Sequence, residues 1–375
     1  MPAAARVLVI GGGFSGMTAA IELRRGGVEV DLVEIDPGWR SYGAGITING
    51  ASLRAFARVG VIGEIMKQGY CADSVAICTG DGRQLALLPT PRLAGPDIPG
   101  GGGIMRPVLA RILAAATRAA GVNVRLGSTF TTIEPGPDSV AVTFSDGPLR
   151  RYDLVVGADG LSSKVRQTCF PDAPKPKYTG QGVWRAVLPR PADVVHPAMY
   201  LGAKVKVGFN PVSQSEMYLF LTEYRPTNDF VPEEALVPQL AQLLGAFSAP
   251  MVAESRRNLG AHSHVVYRPL EAMLMPQPWY RGRVLLVGDA AHATTPHLAA
   301  GAGMGIEDAI VLAEELRAGD SLPEALQRFQ QRRWERCRMV VENSLRLGEI
   351  EATGGSQEEH AQLMRDSMMA LAAPF

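Results

Sequence analysis

The chain has 375 residues, 46% of them hydrophobic and 20% charged, with 37 basic residues balancing 37 acidic ones. That length allows two or more lobes around sizeable cores, and a formal charge of zero leaves no basic footprint for nucleic acid and no pull toward an anionic membrane. No apolar run approaches the ~18 residues of a membrane span, and the first apolar run breaks at Gly11, too early for a secretory signal. Cys71, Cys78, Cys169 and Cys337 match neither a CxxC pair nor zinc spacing. The expectation is a reduced, cytoplasmic protein without a metal, acting as a monomer or homodimer.

Residues 7–10 read as a buried strand running into Gly11-Gly12-Gly13-Phe14-Ser15-Gly16 and then a helical pattern ending at Gly26-Gly27. In a Gly-x-Gly-x-x-Gly turn, Gly11 permits the sharp bend and Gly13 removes the side chain that would hold the backbone off a pyrophosphate. Gly16 lets helix and strand pack closely. The helix start, with Ser15 inside it, offers free N–H groups and a positive dipole end to phosphates. A second strand ends in Glu34, 18 positions past Gly16, where a ribose-binding acid is expected.

Helical periodicity covers residues 52–66, and residues 89–103 (PTPRLAGPDIPGGGG) read as an irregular surface loop. A helix follows over 105–120, then strand patterns at 123–126, 130–134 and 139–145. Residues 153–160 (DLVVGADG) form another buried strand that ends on an acid and a glycine. Alternating patterns from 180 to 224 point to a β-sheet lobe, followed by a helix over 232–247.

Near the other end stands Val284-Leu285-Leu286-Val287-Gly288-Asp289, a buried strand ending in a polar turn, and then Gly301-Ala302-Gly303 opening an apolar helix. Open α/β sheets bind ligands at the carboxyl ends of their strands. Helices dominate residues 306–347, broken at Gly319 and Pro323, and 351–375 reads as a tail helix. The expected class is α/β: a Rossmann-like dinucleotide-binding domain with an inserted β-sheet substrate lobe and C-terminal helices. The segments are 1–175 and 271–350 for the nucleotide part, 176–270 for the lobe and 351–375 for the tail.

In order and content, the fingerprint, DLVVGADGLSSKVR and VLLVGDAAHATTPHLAAGAGMGIEDA resemble the single-component FAD-dependent aromatic hydroxylases of the para-hydroxybenzoate hydroxylase type. The last motif resembles the salicylate, hydroxypyridine and urate hydroxylases most. The resemblance covers residues 6 to about 340. It implies that Gly11, Gly13, Gly16 and Glu34 hold the ADP half of FAD, and that Arg106 lies along the phosphates and ribityl chain. Asp159 belongs to the motif linked to FAD and the pyridine nucleotide. Asp289 would bond sugar or ribityl hydroxyls, and Ala299, Gly301, Ala302 and Gly303 would present amides to the flavin. Many relatives carry glycine at the position of Ala299, which puts the local dihedral in question.

The implied reaction uses NADH or NADPH to reduce FAD and O2 to form a flavin C4a-hydroperoxide, which hydroxylates a small aromatic or N-heteroaromatic substrate. The protein must exclude water, orient the ring and supply a base of suitable pKa. His297 in the 290 loop and Thr47 in the early loop are the catalytic candidates. Tyr218, Phe209 and Arg185 are the substrate candidates on the lobe, where Trp184, Tyr200 and Phe220 are further aromatics; His292 reads as structural. The main alternative is an FAD reductase or dehydrogenase that does not activate oxygen. A halogenase is disfavoured because no Trp-x-Trp pair occurs, and a non-enzymatic nucleotide sensor would be flavin-free.

Overall fold

Strands that are apolar along their whole length need cover on both faces, which is the situation at the centre of a parallel sheet. Arg6–Ile10 and Leu154–Gly157 are such strands, and a computed structural model, describing residues 2–202, 204–260, 263–319 and 321–375, pairs them in parallel. The six-stranded sheet runs Tyr280–Arg281, Val284–Leu286, Leu154–Gly157, Arg6–Ile10, Glu29–Glu34, Asn123–Leu126. All neighbours are parallel except the first pair. Strands from the beginning, middle and end of the chain thus lie side by side, and the turns at Gly11, Gly157 and Gly288 gather at one edge.

A seven-stranded sheet makes the lobe, in the order Val265–Leu274, Lys177–Pro189, Glu216–Tyr224, Val205–Pro211, Ala198–Leu201, Ser74–Thr79, Gln84–Pro89. Its last two strands come from before residue 90, so the lobe draws on the early chain as well as on residues 177–274. Side chains alternate across a strand, and here the two faces differ. Trp184, Ala186, Leu219, Leu221, Val207 and Phe209 form one core with the helices Glu233–Leu244 and Pro250–Asn258. Arg185, Val187, Tyr218, Phe220 and Asn210 occupy the opposite face, as the strand registers require.

The expectation of an irregular loop over 89–103 fails at its end. Gly101–Met105 is the central strand of a small sheet, between Gly45–Asn49 and Tyr70–Ala72. The glycines are there for close approach rather than for looseness: a Cβ on Gly103 would overlap Pro211 O. The helical pattern over 52–66 is likewise two helices, Gly50–Val59 and Ile62–Gln68, parted by Gly60 in the left-handed region at φ 79°. Only glycine adopts that conformation without strain.

Gly301–Arg317 packs on the first helix, Phe14–Arg25, and on the long helix Leu322–Thr353. The latter starts with a capping box between Ser321 and Glu324. The tail is a separate helix, Gln357–Ala372, whose final carbonyls accept hydrogen bonds from Arg54 and Arg336. Cations at a helix C-terminus oppose its dipole favourably. Among the described residues no helix is long and apolar enough to cross a membrane.

Candidate active site

Each glycine of the opening turn has a distinct geometric reason. Gly11 sits at φ 106°, and a Cβ there would stand 2.5 Å from Ala158 O. A Cβ on Gly16 would overlap Gly11 O, so helix and strand meet only because the residue is glycine. Gly13 differs, because a Cβ there would meet no protein atom within 4 Å. It points into open space at the N-terminus of Phe14–Arg25, where no side chain caps the helix. Packing does not demand glycine at that position, so a ligand's close approach is the remaining reason for it.

Glu34, at the end of the second strand, accepts from Gly12 N at 2.7 Å and Asp36 N at 2.8 Å. Trp39 closes the same corner by donating from Nε1 to Gly12 O at 2.8 Å. The loop at 290 meets this turn directly: a Cβ on either Gly288 or Gly305 would overlap Ser15 Oγ. Asp289 starts the short helix Asp289–His292 and is solvent-accessible. Arg106 begins helix Arg106–Ala119, its guanidinium 5.3 Å from the Phe14 ring centre. Burial lowers the pKa of Arg106, and Asp289 is the acid that opposes this. A dipole end, an arginine and a carboxylate therefore line one trench.

A family model described as "FAD binding domain" matches residues 4–344. The chain belongs to that family. This flavoprotein is 31% identical to the "Putative FAD-dependent monooxygenase YetM" of Bacillus subtilis (strain 168), over 89% of the chain and 90% of the relative. It is 32% identical to the 2-heptyl-3-hydroxy-4(1H)-quinolone synthase of Pseudomonas aeruginosa, over 92% and 89%. Its fold superimposes on Klebsiella pneumoniae HpxO, solved with FAD and uric acid, at a TM-score of 0.85 and 23% identity, covering 97% of each chain. FAD is its cofactor, and the residues present could hold it: the open space at Gly13 would admit a pyrophosphate, Arg106 could oppose its charge, and Glu34 and Asp289 could accept from sugar hydroxyls.

Two loop features of the flavoprotein follow from residue type. Ala299 adopts φ 49°, ψ 32°, the left-handed conformation. Alanine bears there a conformation that glycine adopts without strain. Next to it, helix Gly301–Arg317 starts without a side-chain cap, so among the described residues no side chain caps its first-turn amides at Gly301, Ala302 and Gly303. Gly303 also packs on Ser52, which a Cβ would overlap.

Five of the expected site residues stand differently from the sequence reading. Phe209 is 1% exposed within the lobe's far core, edge-on to Tyr200, so it faces away from the trench. Strand alternation puts Asn210, and not Phe209, on the near face; Trp184 and Tyr200 share the fate of Phe209. His297 has a side chain only 1% exposed, turned to Glu351 at 3.5 Å and bonded through Nδ1 to Thr295 Oγ1 at 2.8 Å. A Cβ on Gly348 would stand 2.9 Å from its ring, so helix Leu322–Thr353 covers it. Burial lowers the His297 pKa against the pull of Glu351, and the ring locks the loop to that helix. Asp159 spends both carboxylate oxygens on Ser163 Oγ, Lys164 N and Val165 N, which makes it the turn's fastener.

Tyr218, Arg185 and Thr47 do converge. Tyr218 packs with Ala44 and Val212 in a small cluster at the seam, with its ring over Gly45, and its hydroxyl is 2.5 Å from Thr47 Oγ1. Burial lowers the Arg185 pKa; Tyr218 opposes this while the like charges of Arg106 and Arg268 add to it. No carboxylate pairs with Arg185 among the described residues. A crowded, unpaired guanidinium on a recessed face is suited to an anionic or electron-rich ligand.

Sequence reasoning missed Asn210 and the buried network behind the loop. There His292 Nε2 is 2.6 Å from Asp308 Oδ2, which also accepts from Gly288 N at 2.9 Å. Arg333 spans Asp308 at 2.7 Å and Glu307 at 2.8 Å. His292, Asp308 and Cys337 are close enough to resemble a metal triad, but the Arg333 guanidinium already contacts Asp308 and Cys337. A cation there disfavours a second one. The alternation of Asp308 with an apolar helix was the available signal.

Proposed function

We propose that this flavoprotein is a monooxygenase that takes electrons from NADH or NADPH and inserts one atom of O2 into a small aromatic or N-heteroaromatic substrate. The observation that carries the reading is the shared face: Tyr218, on the same face of the lobe sheet as Arg185, packs on Ala44, whose carbonyl accepts from Arg106 N at 3.1 Å. A ring bound there lies beside the cofactor and between the two lobes, where water is readily excluded.

FAD supplies the electron transfer and oxygen activation when bound. The chain's own residues do the rest. The uncapped start of helix Gly301–Arg317 would support negative charge on the bound cofactor, because its amides are already oriented. Glu34 and Asp289 take sugar or ribityl hydroxyls. Arg185 holds an anionic or polar substituent of the substrate, and Tyr218 with Thr47 contacts a ring oxygen. Asp159 acts by holding the turn at 157–160, and His297 by fixing the loop.

The test is NADH and NADPH oxidation with hydroxybenzoates, hydroxypyridines and purines, in air and under nitrogen. At least one compound should stimulate oxygen-dependent turnover and yield product heavier by one oxygen. Substrate-dependent turnover that persists under nitrogen, with no oxygenated product, would favour a reductase.

A further inference from the structure

Asn49 closes the strand Gly45–Asn49, where it pairs with Gly101, and stands at the start of helix Gly50–Val59. Its Oδ1 caps that helix by accepting from Ser52 N at 2.9 Å. Its Nδ2 donates to Leu298 O, 249 positions away in the loop at 290, at 3.3 Å. Both partners are main-chain groups, one an N–H and the other a carbonyl. Neither bond can reverse, and the side-chain amide has one orientation that satisfies both.

A cap needs only an acceptor, which serine or aspartate supplies as well. What asparagine adds is a donor, and here the donor is spent on Leu298. No other donor reaches that carbonyl among the described residues. The same peptide is held at its far side, where Ala299 N donates to Pro296 O at 3.0 Å. The Leu298–Ala299 peptide is thus fixed at both ends, directly before the left-handed Ala299 and the uncapped start of helix Gly301–Arg317. Ser52, the residue whose amide is capped, packs on Gly303 of that helix, where a Cβ would overlap its Oγ. One helix start therefore props the other.

We infer that Asn49 is a positioning residue that tunes the redox potential of FAD: by holding the Leu298 carbonyl, it sets the direction in which the first-turn amides of helix Gly301–Arg317 face the cofactor. Oriented amides favour the form of a ligand that carries more negative charge. Reduction adds that charge to the flavin. The tie therefore raises affinity for reduced FAD relative to oxidised FAD, and with it the midpoint potential. The inference rests on the proposed function in placing this loop beside the cofactor.

The experiment measures the midpoint potential of the FAD-loaded protein by anaerobic equilibration with a reference dye, alongside thermal unfolding. Asn49→Ser keeps a capping oxygen, loses the donor and adds no charge. Its melting temperature should stay close to that of wild type. The ratio of affinities for reduced over oxidised FAD should fall about ten-fold, the worth of one net hydrogen bond. For a two-electron couple that is about 30 mV toward negative potential. A purely structural role would lower stability and leave the potential unmoved, because both redox states would lose alike. Asn49→Gly, a tolerated cap residue, should give the same shift and decides if Asn49→Ser does not fold with flavin. A wild-type potential in the folded, flavin-bound variant overturns the inference. Loss of fold or of flavin from both variants overturns it too, since Asn49 would then serve assembly rather than tuning. The potential is read without substrate or oxygen, so a chain that oxygenates nothing overturns the proposed function while the potential still decides the role of Asn49.

Discussion

Ser15 and Gly288 lie far apart in the chain and touch in space: a side-chain carbon on Gly288 would overlap Ser15 Oγ. Gly305 presses on the same hydroxyl from the helix behind. The opening turn and the 290 loop are thus fitted to each other before any cofactor is considered.

Gly305→Ala should force them apart, costing about 1–3 kcal/mol of stability as overpacking does and weakening FAD retention. Combining it with Ser15→Ala removes the overlapping oxygen and should recover part of both losses. Thermal unfolding and flavin content of the single and double variants measure the coupling. Simple additivity of the two substitutions would mean that the contact carries no constraint.

Ala299→Gly tests the strained loop. The left-handed conformation costs an alanine roughly 1 kcal/mol, and glycine adopts it freely at some entropic cost in the unfolded chain. The expected result is a chain as stable as wild type or slightly more so, with FAD retained. A clear loss of stability would show that the methyl group packs usefully there.

His297→Ala should lower the melting temperature, because it unlocks the loop from helix Leu322–Thr353. Coupling of NAD(P)H use to product should stay within about two-fold, since the ring is buried away from the trench. Strong uncoupling with unchanged stability would restore His297 to a catalytic part.

The network behind the loop sets a pH dependence. For His292 burial opposes the charged ring, but Cys337 and Asp308 outweigh it, and its pKa is raised well above 6.5. For Asp308 burial opposes the carboxylate, but His292 and Arg333 outweigh it and its pKa falls below 3.8. A raised histidine contributes stability that is full below pH 6.5 and is lost as pH rises through the folded value. A depressed carboxylate contributes stability that is full above its ordinary range and is lost on further acidification. Both contributions are full only at mildly acidic pH, between about 4 and 6.5, where stability should therefore be greatest. Asp308→Asn should flatten the profile and cost about 3–5 kcal/mol, the penalty for breaking a buried charge pair. An unchanged melting profile would contradict the network's role.

The cofactor side of the site was legible in the sequence because glycine spacing encodes backbone shape. Gly11 and Gly16 are needed by packing and Gly13 by a ligand, and all three needs show in one short motif. The lobe was legible as a sheet, but not by face. Nothing in residues 205–211 tells which side of the strand meets the cofactor domain, so Phe209 looked as good as Asn210. Assigning the faces requires the pairing with Tyr218, and that pairing is set by contacts far apart in sequence. His297 misled for a related reason, because helix Leu322–Thr353 covers it and no local pattern shows that. The glycines at 101–103 read as loop because glycine marks both looseness and close approach, and only the neighbour Pro211 distinguishes them.

The most direct test of one FAD gripped by the opening turn and the 290 loop is flavin stoichiometry in Gly13→Val against wild type. A Cβ at that position meets no protein atom within 4 Å, so the fold should survive while the pyrophosphate is excluded. The account predicts about one FAD per chain in wild type and almost none in a folded Gly13→Val protein. Full flavin occupancy in that variant would contradict it.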